Sequence, residues 1–325
     1  MRITSARRRI LAVSSVGLLA VGLAACSPEE EDQSAAPADG DEAPDQGSAL
    51  DVEAYTQIVE NGPVADDADV EANEWASGVR EAGVLHVGGT ETSELFSQLD
   101  TADNIARGFD AGLSQLLANY ILGEANTELS QVNVDTREEV LVNNTVDVVF
   151  ATYSITPERA DRIDFAGPYY EIQSAILVSQ DTDDINGVDD LGGRTVATQA
   201  ASTGVTVLQD HAPDDVEILE LPDHAQALSA VQQGRADAYV IDESLLLNAV
   251  VDNDDVKIVG EPFGPGDLYG IGLNQDGDAL EFVNDWLQQV YDDGTWEELW
   301  QVTIGDRTGL EEAPEPPAIG ETGLD

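Results

Sequence analysis

Positive charge is what this 325-residue sequence has least of: one Lys and 12 Arg stand against 65 acidic residues, for a formal net charge of -52. Such a surface repels nucleic acid and anionic lipid head groups, so nucleic acid is not expected as a partner. Cysteine is reduced to Cys26, which excludes a disulfide within the chain and leaves stability to packing. There are three His, and no Ser-x-x-Lys, Gly-x-Ser-x-Gly or His-Glu-x-x-His pattern. Ser154 and Ser202 therefore lack an evident base, and no catalytic residue is expected. Metal-ligand spacing and a Gly-rich phosphate loop with Lys are missing too, so neither metal nor cofactor is expected.

Long apolar runs are confined to the N-terminus. MRITSARRR is a basic segment and ILAVSSVGLLAVGLAA an apolar one, which together read as an export leader over residues 1–25. Its end, Leu23-Ala24-Ala25-Cys26, resembles the lipobox of bacterial lipoprotein signal peptides. That resemblance implies a lipid on Cys26 and anchoring at the outer face of the cell membrane. A single-pass anchor is the competing reading, because the run approaches the lower length limit of a spanning helix. Either one exports the remainder.

Residues 26–75 are rich in Asp, Glu, Ala, Pro and Gly and are expected to form an acidic flexible tether, with a short helix near 54–60. A loose tail is expected over 306–325. The acid-laden surface resembles that of proteins from salt-loving organisms, where the screening length falls to roughly 3 Å at about 1 M salt. Most Asp and Glu are accordingly solvated surface, and only near neighbours of a ligand are felt.

Between the two termini, strands alternate with helices. Strand patterns fall at 84–89, 129–134 and 146–152, and helical ones at 109–120 and 137–142. A second unit comes next, with strands at 195–198, 216–221 and 236–241 and helices at 203–211 and 225–233. The chain returns through a strand at 268–273 and helices at 279–291 and 294–300. This recurrence predicts two α/β domains. A local echo supports it: a helix, a turn at Asn144 or Gly234 that tolerates positive φ, then Val146-Asp147 or Ala236-Asp237 leading into a strand. Residues just beyond those strands sit at the C-terminal sheet edges, where open α/β sheets hold ligands.

The scarce Arg residues are placed there. Thr156 as N-cap and Pro157 at the first helical position start a short helix carrying Arg159, just beyond the third strand and near Ser154. A guanidinium fork matches a carboxylate in two parallel bonds. A salt bridge from Arg159 to Asp161 or Asp164 is the competing reading, with Arg162 a surface partner. Ser202-Thr203-Gly204 opens a helix with exposed N–H groups suited to an anion, or serves only as a cap. Asp242, at the end of a strand, suits an ammonium or caps the next helix. Arg137 begins a helix, the electrostatically unfavourable end, which is understandable if it reaches a ligand.

Seven ordered blocks then carry a family resemblance: Gly108-Phe109-Asp110, Thr145-Val146-Asp147, Ser154-Ile155-Thr156-Pro157-Glu158-Arg159, Asp164-Phe165-Ala166-Gly167-Pro168-Tyr169-Tyr170, Asp190-Leu191-Gly192-Gly193-Arg194, Ser202-Thr203-Gly204, and Gly234-Arg235-Ala236-Asp237-Ala238 with Asp242. Over residues 80–305 the chain resembles the polar amino-acid-binding proteins of ABC importers. The resemblance implies a periplasmic-binding-protein-like α/β fold of two lobes, joined by two hinge strands with a cleft between. Lobe one would combine 76–174 with 265–305, lobe two would hold 175–264, and the crossovers would lie near 174–180 and 259–264.

By the same resemblance Arg159 clamps the ligand α-carboxylate, helped by Ser154 and Thr203, and Asp242 receives the α-ammonium. Ser202, Ala151 and Glu91 complete the expected shell, and Arg137 reads a side-chain carboxylate. The implied protein is a monomeric, lipid-tethered carrier that binds glutamate and delivers it to membrane ABC permease subunits. The alternatives are glutamine or another polar amino acid, a sensor of the same ligand, and a dehydratase-type enzyme using Glu91 or Asp242 as general acid. Glu91 and Glu94 stand where relatives often carry an aromatic, Pro-rich wall, and they oppose an acidic ligand if they point inward.

Overall fold

The computed structural model describes residues 49–324. The leader over 1–25, Cys26 and the first part of the tether lie outside the described residues.

The tether expectation fails over the described part of that stretch. Helices α1 (Val52–Asn61), α2 (Asp67–Ala72) and α3 (Glu74–Ala82) occupy it. Asp51 caps α1 by accepting from the N–H groups of Glu53 and Ala54. Tyr55 and Val59, four apart on one face, are buried together with Val70. Tyr55 donates its hydroxyl to Gln115 Oε1 at 3.0 Å. The short helix expected near 54–60 is α1; what the acidic composition hid is its docked face, on which Leu50, Ala54 and Ile58 also pack.

Strand β1 (Leu85–Gly89) then leads to a small antiparallel sheet of β2 (Thr92–Ser93), β3 (Ser97–Asp100) and β4 (Ile105–Arg107). Helix α4 (Phe109–Leu122) is buried almost throughout, and β5 (Thr127–Gln131), α5 (Arg137–Val142), β6 (Val148–Val149) and α6 (Pro157–Ala160) come after it. The long strand β7 (Asp164–Ser179) has 16 residues, about 50 Å of extended chain, enough to cross from one lobe into the next.

Lobe two holds β8 (Thr195–Gln199), α7 (Thr203–His211), β9 (Glu217–Leu221), α8 (His224–Gln232), β10 (Ala238–Asp242) and α9 (Glu243–Asp252). The chain returns along β11 (Val256–Leu273) to α10 (Ala279–Asp292), α11 (Thr295–Trp300) and α12 (Asp306–Thr308). One eight-stranded sheet runs β5-β1-β6-β11-β7-β10-β8-β9. Its two outer sections are parallel, while β7 and β11 run antiparallel to each other and join the lobes.

The echo in the sequence has a structural counterpart. Asn144 and Gly234 both have positive φ, at 53° and 67°. Asp147 then accepts from His86 N–H at 2.8 Å, and Asp237 accepts from Thr195 N–H at 2.8 Å. Each carboxylate thus satisfies a backbone donor at the start of the neighbouring parallel strand.

The expected loose tail is also docked. Arg307 is buried and donates to the backbone carbonyl and the carboxylate of Glu94. Gly320 N–H donates to Gly167 O at 2.8 Å, and Ala313 and Ile319 pack on the core of lobe one. A Pro- and Glu-rich composition reads as loose because the contacts that dock it are with distant residues.

Candidate functional site

A cavity of about 340 Å³ opens at the C-terminal ends of the parallel strands. Lobe one contributes Arg137, Ala151, Ser154 and Arg159 to its wall, and lobe two contributes Ser202, Thr203 and Asp242. Seven of the eight expected ligand-binding residues therefore converge there. The eighth does not: Glu91 lines a separate cavity of about 580 Å³ within lobe one, beside Tyr55 and Arg107. Thr90, Thr92 and Ser93 of the same segment do line the cleft, and Glu94 is neutralised by Arg307.

Arg159 is placed by the signals read in its sequence. Thr156 Oγ1 accepts from Arg159 N–H at 3.3 Å, with Pro157 opening the helix. The guanidinium donates to Ser154 O at 2.7 Å and, across the cleft, to Ala201 O at 3.2 Å. It is therefore not spent on Asp161 or Asp164. Arg162 meets Glu138 at the surface instead.

Arg137 is 4 % exposed and donates to Ala151 O at 3.0 Å, while its Nε has no hydrogen-bond partner. Its guanidinium lies 3.8 Å above the Tyr153 ring, a cation–π contact that offsets part of the cost of burial. Burial, and then the charge of Arg159, push its pKa well down from the usual arginine value to about 9. Two guanidiniums thus share one wall, and Tyr153 sits beneath both, 5.5 Å from Arg159.

The loop carrying these groups is held from below. Thr152 has φ 41°, and Asp110 Oδ2 accepts its N–H at 2.7 Å while Asp110 Oδ1 accepts from Tyr169 at 2.8 Å. Burial raises Asp110 to about 7.

Asp242 stands at the N-terminus of α9 without capping it. Its Oδ2 accepts from Tyr269 at 2.6 Å, and its buried Oδ1 has no partner. Burial raises its pKa, against the Tyr269 bond and the charges of Arg159 and Arg137. An ammonium at Oδ1 would supply both the missing donor and the missing charge. Ser202 does not cap α7 either; its hydroxyl donates to Gln199 O at 2.6 Å, so its own proton is committed.

A profile of the bacterial extracellular solute-binding proteins, family 3, matches residues 85–304. The chain belongs to this family. It is accordingly an extracytoplasmic binding protein rather than an enzyme; of the two general acids suggested for a dehydratase, Glu91 lies outside the cleft and Asp242 lines it. The family segment excludes α1–α3 and most of the tail, which this binding protein adds to lobe one.

Among its relatives is the ABC transporter glutamine-binding protein GlnH of Bacillus subtilis (strain 168), 30% identical over 215 residues, which cover 65% of this chain and 78% of that protein. The glutamate-binding protein GluB of Corynebacterium glutamicum is 29% identical over 249 residues, covering 73% of this chain and 83% of its own. The solute receptor for L-cysteine of Neisseria gonorrhoeae shares the fold, with a TM-score of 0.69 at 23% identity, covering 75% of this chain and 99% of that one. The names of these proteins span several amino acids, wider than the glutamate expected from the sequence.

Several site residues of this binding protein escaped the sequence. His224 lines the cleft, bonded to the Tyr239 hydroxyl at 3.1 Å, and burial lowers it to about 4, which keeps it neutral. Asn248 also lines the cleft and accepts from Leu95 N–H at 2.6 Å, linking the lobes. Asp267 of β11 lines a neighbouring cavity of about 370 Å³ together with Thr203, and burial, then the charge of Asp242, raise it to about 7. None of the three stands in a pattern that marks it: one Asp among 65 acidic residues carries no local signal. Tyr153 was within reach, since it lies between two expected site residues, Ala151 and Ser154.

Proposed function

We propose that the protein captures a polar α-amino acid of the glutamate and glutamine type and presents it to a membrane ABC permease. The observation that carries this is a pair of buried guanidiniums, Arg159 and Arg137, on one wall of a cavity whose opposite wall offers the partnerless Oδ1 of Asp242. A zwitterion placed between Arg159 and Asp242 bridges the lobes and favours closure. Ligand identity then turns on Arg137. No carboxylate pairs with it among the described ion pairs, which favours a ligand with a second acid, glutamate. Glutamine is the second reading, favoured by the glutamine-binding relatives and by the Tyr153 ring and Ala151 carbonyl that already support Arg137.

The proposal includes a lipid on Cys26 that tethers the protein to the outer face of the membrane, near its permease. Calorimetric titration of an amino-acid panel at high salt tests the binding. The expected result is a micromolar or tighter complex, about 8 kcal/mol, with glutamate or glutamine. Binding of neither, with a sugar or a peptide bound instead, ends the proposal.

A further inference from the structure

The stretch Ser93-Glu94-Leu95 runs from β2 into a turn and is fixed in lobe one from several sides. Ser93 pairs with Ser97 of β3, Phe109 N–H donates to Leu95 O at 2.8 Å, and Leu95 is buried in the core of that lobe. Arg307 of α12, itself buried, donates to both the backbone carbonyl and the carboxylate of Glu94. The family segment ends at residue 304, so this brace is supplied by the docked tail.

Asn248 meets the turn from lobe two. Its helix, α9, is rooted there by Leu246 and Ala249, which pack in the core around Tyr239. The side chain is buried, and its Oδ1 accepts from Leu95 N–H at 2.6 Å. Its Nδ2 donates to Ser93 Oγ at 3.3 Å and to Ser244 O of its own helix at 3.0 Å. A carboxamide has two N–H protons, and both are engaged. Asn248 therefore lines the cleft yet keeps no donor for a ligand, and its bonds outside its own helix go to lobe one. Beside it, Leu247 packs against the apolar core of lobe one.

Leu95 is fully buried, so its N–H needs an acceptor. With the lobes together, Asn248 is that acceptor. With the lobes apart, water takes its place, because Arg307 keeps the turn with lobe one while α9 leaves with lobe two. We infer that Asn248 is a positioning residue that ties lobe two to the turn 93–95 in the closed protein, that Arg307 braces the turn for it, and that this tie sets how long a captured amino acid is held without reading which one it is. The inference rests on the amino-acid-binding reading and adds to it a control of release. Release requires the lobes to part, so a bond made only when they are together slows it. Association starts with the lobes apart and does not depend on that bond.

The test is stopped-flow binding of glutamate and of glutamine to the full-length protein, to Asn248→Ala, to Arg307→Gln and to the double variant, with amide hydrogen exchange at Leu95 followed in the wild type. Asn248→Ala is expected to speed release about tenfold for both amino acids at an unchanged association rate. Arg307→Gln is expected to speed it about threefold alone and to add nothing in the Asn248→Ala background, because both act on one bond. Additive effects remove Arg307 from the tie. In the wild type, exchange at Leu95 is expected to slow when either amino acid is bound. An unchanged release rate in Asn248→Ala, even with lowered unfolding free energy, marks a merely structural side chain and overturns the inference while the proposed function stands. So does a loss that differs between glutamate and glutamine by more than about threefold, which makes Asn248 a ligand-reading group. Equal Leu95 exchange in free and bound protein overturns it as well, and decides the matter should Asn248→Ala fail to fold. Binding of no amino acid overturns the proposed function and this inference together.

Discussion

Lobe one packs aromatic rings against one another, with Trp296 edge-on to Phe109 at 5.4 Å between centroids and Tyr170 stacked on Tyr269 at 5.9 Å, whereas lobe two fills its interior with Ala, Val, Leu and Ile around Tyr239. Both cleft guanidiniums stand on the aromatic lobe, over Tyr153. A buried cation needs a fixed surround that supplies π faces and carbonyls, and interlocked rings with few rotatable bonds provide one. Lobe two needs less: short side chains, backbone groups at the start of α7, and Asp242. The half of the cleft that carries both guanidiniums is thus the aromatic one, and the half that carries Asp242 is aliphatic.

Four substitutions bear on that contrast. Trp296→Ala strikes the aromatic half itself and is expected to lower unfolding free energy by about 3–5 kcal/mol in denaturant titration. A loss below about 1 kcal/mol would show that the rings do not carry lobe one. Arg159→Ala comes next, with binding weakened at least about 100-fold, because the variant loses both the clamp for the carboxylate and the bond to Ala201 across the cleft. Unchanged affinity in calorimetry ends the assignment of that clamp. Arg137→Ala is expected to weaken glutamate about tenfold more than glutamine, and equal losses mean that Arg137 supports the wall rather than reading a ligand acid. Glu91→Gln is expected to change affinity by less than about twofold, since its cavity is separate from the cleft; a larger change would place that cavity in the binding cycle.

Much of this architecture was legible along the chain. The helix starting at Arg137, the one from Thr203 to His211, and the helical segment from Phe109 fall where apolar spacing puts them. Asn144 and Gly234 take the positive φ that their turns require. Arg159 is capped as Thr156-Pro157 foretells. The misses share one cause, in that each depends on a distant partner. Helix α1 falls on the short helix expected near 54–60, but its docking, like the existence of α2, depends on Tyr55, Val59 and Val70 finding lobe one. The tail is ordered by Glu94 and Gly167, and Glu91 lines a cavity beside Tyr55 and Arg107, apart from the cleft.

Local sequence sets the alternating elements, the turn positions and the identity of the scarce cations, because periodicity, capping and backbone φ preferences act within a few residues. Tertiary structure alone decided which acids among so many matter. Asp242 and Asp267 differ from their solvated counterparts in being enclosed by distant residues, and it is that desolvation, not residue type, that raises their carboxyls.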